Sequence, residues 1–156
     1  MVVDADQRVG PGHIAVGPQS RRGGLQGSVG AQDNDVLHNS LVLNPFDLLT
    51  RTYAAFNSRD IDRALEALHP DVEWPNGMSG GYEHGRDAVR AYWTNQWTQI
   101  DPRVDPVLMD TDEHGRIVVH VHQVVRDLAG TVIADRMVRH IYTVVDGLVT
   151  HMEIAS

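Results

Sequence analysis

A chain of 156 residues with 13 Lys+Arg against 21 Asp+Glu, a net charge of −8, has room for one domain of ordinary size and repels phosphate backbones overall. No apolar run approaches the ~18 residues of a membrane-spanning helix, so neither a membrane nor nucleic acid is an expected partner. Having no cysteine, the chain can form no disulfide, thiol nucleophile or zinc-thiolate site.

Residues 1–43 are predicted to be a disordered N-terminal extension. Gly10, Gly12, Gly17, Gly23, Gly24, Gly27 and Gly30 are seven of the chain's 14 glycines, and the segment has no apolar period that could offset its ordering entropy. It does not read as a secretory signal, because Asp4 and Asp6 stand where basic residues would precede an apolar run. The cytoplasm is therefore the expected location. A basic tail at Arg21-Arg22 that docks a partner is the functional alternative to an inert leader.

The domain proper is expected over 44–156, opening on Asn44-Pro45-Phe46-Asp47: an N-cap, a first-turn proline and an acidic residue at the positive helix end. Phe46, Leu49, Tyr53 and Phe56 then form one apolar stripe. Asn57-Ser58-Arg59-Asp60 breaks this helix and Asp60 caps a second, with Ile61, Ala64, Leu65 and Leu68 on one face and Pro70 as its stop. Asp71 to Trp74 reads as a short strand, and PNGMSGGYEHG as an irregular loop. A third helix is predicted from Arg86 to Gln99, with Val89, Trp93, Gln96 and Trp97 on one side. Beyond Asp101-Pro102 the period changes to 2, predicting strands near 103–111, 116–127, 132–145 and 148–154. The class is α+β: three helices around a short strand, then an antiparallel meander.

Two turns predict the facing. A two-residue turn at Asp146-Gly147 pairs Val144 with Val149, Tyr142 with His151 and His140 with Glu153. A turn centred on Ala129-Gly130 pairs Val138 with Val121 and Arg136 with Gln123. The more apolar face then carries Val119, Val121, Val125, Val138, His140, Tyr142, Val144, Val149 and Glu153, and is the face expected under the helices.

On it His140 and Glu153 are the candidate catalytic pair, since a carboxylate beside an imidazole raises its basicity and fixes its tautomer, as a general base near neutral pH requires. A merely stabilising cross-strand pair is the plainer reading. His120 and His122 share one side of a strand, but Arg139 and Met137 opposite them disfavour a metal, so no metal site is predicted. Trp74, Trp93 and Trp97 suit a core and could together line a pocket. No phosphate loop, G-x-S-x-G elbow or H-E-x-x-H is present.

The run LLTRTYAAFNSRDIDRALEALHPDVEWPN, then HGRDAVRAYW, then a meander ending VVDGLVTHMEI resembles the nuclear transport factor 2-like superfamily, in its SnoaL-like and ketosteroid-isomerase-like branch, over about 45–154. The resemblance implies a cone, a curved antiparallel sheet wrapped around three helices with an apolar pocket between them, in a homodimer. The ketosteroid isomerases of that branch carry a catalytic aspartate in a run whose counterpart here is Val72-Glu73-Trp74-Pro75; Trp74 replaces it, so steroid isomerisation by that mechanism is not expected. Tyr53 lies near, and one residue away from, their oxyanion-binding tyrosine. The function implied is binding of a small apolar molecule in a pocket lined by Trp74, Trp93, Trp97, Tyr142 and Tyr53. Cofactor-free acid/base chemistry of the isomerase, cyclase or hydratase type is expected there, with His140 as base and Glu153 orienting it. A non-catalytic binding or dimeric assembly module is the alternative.

Overall fold

The computed structural model describes residues 44–156; the predicted N-terminal extension lies outside the described residues. Helix α1 (Pro45–Asn57) begins as its sequence requires, with Asn44 Oδ1 accepting the Asp47 N–H at 3.0 Å and proline in the first turn. It buries Leu49, Thr52, Tyr53, Ala55 and Phe56. The chain leaves it through Arg59, a non-glycine residue at φ 64°. The guanidinium there donates to the carbonyls of Phe56 and Pro102, pairs with Asp101, and lies 5.0 Å from the Trp97 ring centroid.

Helix α2 (Ile61–Leu65), capped by Asp60, is shorter than the apolar pattern predicts. Leu68 is already the first residue of β1 (Leu68–Pro75), and Pro70 lies inside that strand instead of ending a helix. The proline is tolerated because β1 is irregular there: its register with β6 (Leu148–Ala155) shifts between Leu68↔Val149 and Glu73↔His151, so no ladder N–H is demanded. The glycine-rich loop is also more ordered than expected, since its last residues form β2 (Tyr82–His84), hairpin-paired with β1. Helix α3 (Arg86–Trp97) buries Val89, Tyr92, Trp93 and Gln96.

Strands β3 (Asp101–Thr111), β4 (Ile117–Arg126), β5 (Val132–Val145) and β6 complete a six-stranded sheet of order β2-β1-β6-β5-β4-β3. The sheet is curved and mixed: the meander is antiparallel, whereas β1 runs parallel to β6. The β3–β4 and β4–β5 turns are built alike, with Asp112 Oδ1 accepting the N–H of His114 and Arg116, and Asp127 Oδ1 those of Ala129 and Thr131. Asp146 and Gly147, at φ 53° and 80°, make the tight turn before β6. No helix among the described residues is long and apolar enough to cross a membrane.

The β4–β5 register is the one predicted, with Val121 opposite Val138 and Gln123 opposite Arg136. Along β5–β6 the prediction holds for Val144↔Val149 and then fails. Thr150 is an extra residue, a β-bulge, so Thr143 faces His151, Tyr142 faces Met152 and His140 faces Ile154. The slip turns β6 over beyond the bulge: Met152 is fully buried against the helices, and Glu153, opposite Ile141, lies on the outer face.

This facing can be tested by exchanging chemistry at two adjacent positions. Glu153→Met is expected to change stability by no more than about 0.5 kcal/mol in urea titrations, as for an ordinary surface site. Met152→Glu is expected to cost about 3 kcal/mol or more by burying an unpaired carboxylate. The reverse order would restore the unbulged register.

Candidate functional site

Between α1 and the inner face of β5, three polar rings meet in the apolar interior. Tyr53 reaches from the buried stripe of α1, and His140 and Tyr142 project inward from alternate positions of β5. The Tyr53 hydroxyl lies 2.7 Å from His140 Nδ1, and the Tyr142 hydroxyl donates to the Tyr53 oxygen at 2.8 Å. Tyr53 and His140 stack nearly parallel, 7° between planes, while Tyr142 stands edge-on to both. The roles in the Tyr53–His140 contact depend on the imidazole tautomer: with the Tyr53 hydroxyl donating to Nδ1, the imidazole proton stands on Nε2. That nitrogen is buried and has no hydrogen-bond partner.

An aromatic row continues from this triad. Trp74 lies 6.2 Å from Tyr142 and 5.5 Å from Trp93, centroid to centroid, and Trp93 stacks with Trp97 at 6.4 Å. Tyr53, Tyr142, Trp74 and Trp93 are buried, while Trp97 is partly exposed at the margin beneath Arg59. The five predicted pocket residues are therefore brought into one contiguous cluster. The three indole N–H groups and the Gln96 Oε1 atom are, like His140 Nε2, buried without partners. A cleft of about 380 Å³ between α1 and β3, lined by Tyr53, Ala54, Asn57, Arg103 and Asp105 among others, brings surface to within one side chain of the triad.

The predicted pairing of His140 with Glu153 is not formed. Glu153 accepts from Arg116 Nη1 at 3.3 Å and lies 3.7 Å from His151 Nε2 on the outer face. The ring is oriented by Tyr53 instead, a contact spanning 87 residues of sequence that no local spacing announces. The electrostatic consequence is opposite in sign to the expectation. With no carboxylate beside it, burial pushes the His140 pKa down from its usual 6.5 to about 3. Burial raises Tyr53 and Tyr142 above the ordinary phenol value. All three groups are thus neutral across the physiological range, and the imidazole is a weak base. His120 and His122 face Arg139 and Met137 as predicted, and His122 pairs with Asp135 at 2.7 Å. Among the described residues no cluster has the geometry of a metal site. Sequence reasoning passed over Tyr92, whose hydroxyl accepts from the Gly77 N–H and the Gln96 amide, each at 3.1 Å; a tyrosine beside Trp93 on the buried helix face was the available signal.

The family described as SnoaL-like domain matches residues 49–152. An NTF2-like protein of unknown function from Burkholderia pseudomallei K96243 is 32% identical, with TM-score 0.63 over 72% of this chain and 90% of that one. TerC, co-crystallised with polyporic acid, is also 32% identical, with TM-score 0.62 over 70% and 88%. RV0760c from Mycobacterium tuberculosis, in complex with estradiol-17beta-hemisuccinate, shares the fold at 16% identity and TM-score 0.59 over 70% and 90%. No curated protein matches the chain. The chain belongs to the SnoaL-like domain family, with the NTF2-like α+β cone fold.

A neutral buried histidine leaves a thermodynamic trace. The unfolded chain binds a proton on this ring below about pH 6.5, whereas the folded chain does so only near 3, so stability falls as pH drops between those values. Between about pH 6 and 4 the native protein is expected to lose about 1.4 kcal/mol per pH unit more than His140→Leu. Equal slopes in urea titrations would mean that the ring is charged or solvated in the folded state.

Proposed function

We propose that the protein binds a small, largely apolar, ring-bearing ketone inside the cone and activates its carbonyl without a cofactor, as an isomerase, cyclase or hydratase would. The observation that carries this reading is the Tyr142–Tyr53–His140 chain ending on a buried imidazole Nε2 with no partner. A fixed donor in a dry, low-dielectric interior stabilises negative charge developing on a carbonyl oxygen at no reorganisation cost. The aromatic row supplies the apolar surface such a ligand would bury, and the co-crystallisation of TerC with polyporic acid supports a small-molecule ligand. His140 acts as a neutral donor to the carbonyl, Tyr53 positions it, and Tyr142 holds the tyrosine hydroxyl.

The test uses 1-tetralone, a two-ring ketone. The native protein is expected to bind it saturably, to change its tryptophan emission on doing so, and to accelerate exchange of its α-protons in D2O, with buffer base or deuteroxide taking the α-proton while the His140 N–H holds the developing enolate oxygen. His140→Leu is expected to lower exchange about 10²-fold while binding persists. Binding without accelerated exchange would establish the alternative, a non-catalytic binding module, and no binding would end the proposal.

A homodimer is proposed through the outer face of β3–β5, where Leu108 and Met137 are exposed beside half-buried Val118 and Ile141. Light scattering is expected to give twice the chain mass, and the monomer mass for a Leu108→Glu, Met137→Glu variant. A monomeric native protein would overturn the assignment. A cytoplasmic location belongs to the same reading.

A further inference from the structure

The outer edge of β3 is sealed along one half and open along the other. This strand ends the sheet, bonded to β4 on one side alone. Within an antiparallel pair, alternate residues turn both N–H and C=O away from the partner. Asn57 marks one of them: its amide donates to the Val104 carbonyl at 2.8 Å and accepts the Val104 N–H at 2.9 Å, as a neighbouring strand would. Pro102 and Pro106, at the alternate positions on either side, have no N–H to offer, and Arg59 occupies the Pro102 carbonyl at 2.8 Å. From Asp101 to Pro106 the edge is thus closed to another strand.

Beyond Pro106 these devices stop. The register steps from Pro106↔Val121 to Leu108↔His120, so Val107 is an extra residue and the alternation changes phase. Asp112 donates its N–H inward to the Arg116 carbonyl at 2.9 Å, which turns the main-chain groups of Met109 and Thr111 outward. Among the described residues nothing caps them, and Val107 and Leu108 beside them are exposed. An open, apolar edge of this kind is a template for a further strand.

The course of α1 says which strand. Arg59 meets Asp101 and Pro102, Asn57 meets Val104, and Thr50 and Tyr53 share a cleft with Asp105 and Pro106. Followed back to its first turn, the helix heads for the open half of β3, and Asn44 enters it in extended conformation, φ −68° and ψ 154°. The residues before it read Val36-Leu37-His38-Asn39-Ser40-Leu41-Val42-Leu43, mostly aliphatic, with no proline, glycine or carboxylate among them. Extended, they span about 26 Å, ample for the edge from Val107 to Thr111 at about 17 Å.

We propose that residues 36–43 add to the outer edge of β3 over Val107–Thr111 as a further strand, closing the half of the edge that Asn57, Arg59 and the two prolines leave open. The segment is tethered to α1, so its docking is intramolecular and is favoured by a high effective concentration.

Amide hydrogen exchange of the full chain, followed by NMR at two protein concentrations tenfold apart, tests this. The Met109 and Thr111 amides are expected to exchange at least about tenfold more slowly than in a Leu41→Pro, Val42→Pro variant, because adjacent residues alternate and one of the two lost N–H groups faces β3. The Val104 amide, held by Asn57, is the internal reference. A nitroxide on Ser40→Cys, in a chain with no other cysteine, is expected to broaden the same two amide signals. Equal exchange in the native chain and the proline variant, or signals left sharp by the nitroxide, overturns the proposal. Protection that grows with protein concentration and survives the prolines also overturns it, and gives the edge to a second copy of the chain.

Discussion

One extra residue in β6 decides what the interior contains. The bulge at Thr150 lets Val149 and Met152 both face the helices, although three positions apart they could not do so on a regular strand. It thereby brings a thioether inside and takes the Glu153 carboxylate out to Arg116 and His151. A carboxylate held beside His140 would have had to be desolvated with it, and the imidazole would then have been drawn toward its charged form. The neutrality of the site depends on that single irregularity.

Around this constraint the interior is unusually polar in its atoms and apolar in its charges. Hydroxyls, indoles, an imidazole and an amide occupy the cone, yet none carries a charge at physiological pH, and the ionised groups lie near the surface. For the ligand proposed above, such an environment would discriminate by hydrogen-bond pattern instead of by net charge. It also separates two kinds of histidine in one chain: the ring at 140, neutral and held by a phenol, and the outer-face rings at 120, 122 and 151, each within reach of a carboxylate.

What could be read from the sequence was whatever short-range chemistry dictates. Asn44-Pro45 announces α1, Asp146-Gly147 announces the last turn, and a turn centred on Ala129-Gly130 predicts the β4–β5 register seen from Val125↔Ala134 inward, and hence which face of β4 and β5 is buried. The bulge at Thr150 was illegible because nothing in Leu148–Ala155 distinguishes it from regular alternation, and the whole His140–Glu153 pairing fell with it. Leu68 suited a helical stripe as well as the start of a strand, so the α2–β1 boundary was drawn late. β2 is hidden by the glycines before it, and Pro70 reads as a helix stop because its tolerance in a strand depends on a partner nearly eighty residues away. The contact of Tyr53 with His140 is likewise a product of tertiary packing alone.

Arg59 holds a left-handed backbone conformation that costs a side-chain-bearing residue about 1–2 kcal/mol. Its guanidinium offsets this by joining the end of α1, the start of β3 and the ring of Trp97. The three indoles are consequently unequal as reporters: two are sealed in a neutral interior, and the third is only partly buried, under a fixed cation. Emission from this protein is a composite in which the Trp97 component senses the rim and its ionic surroundings, while the other two sense the depth of the cone.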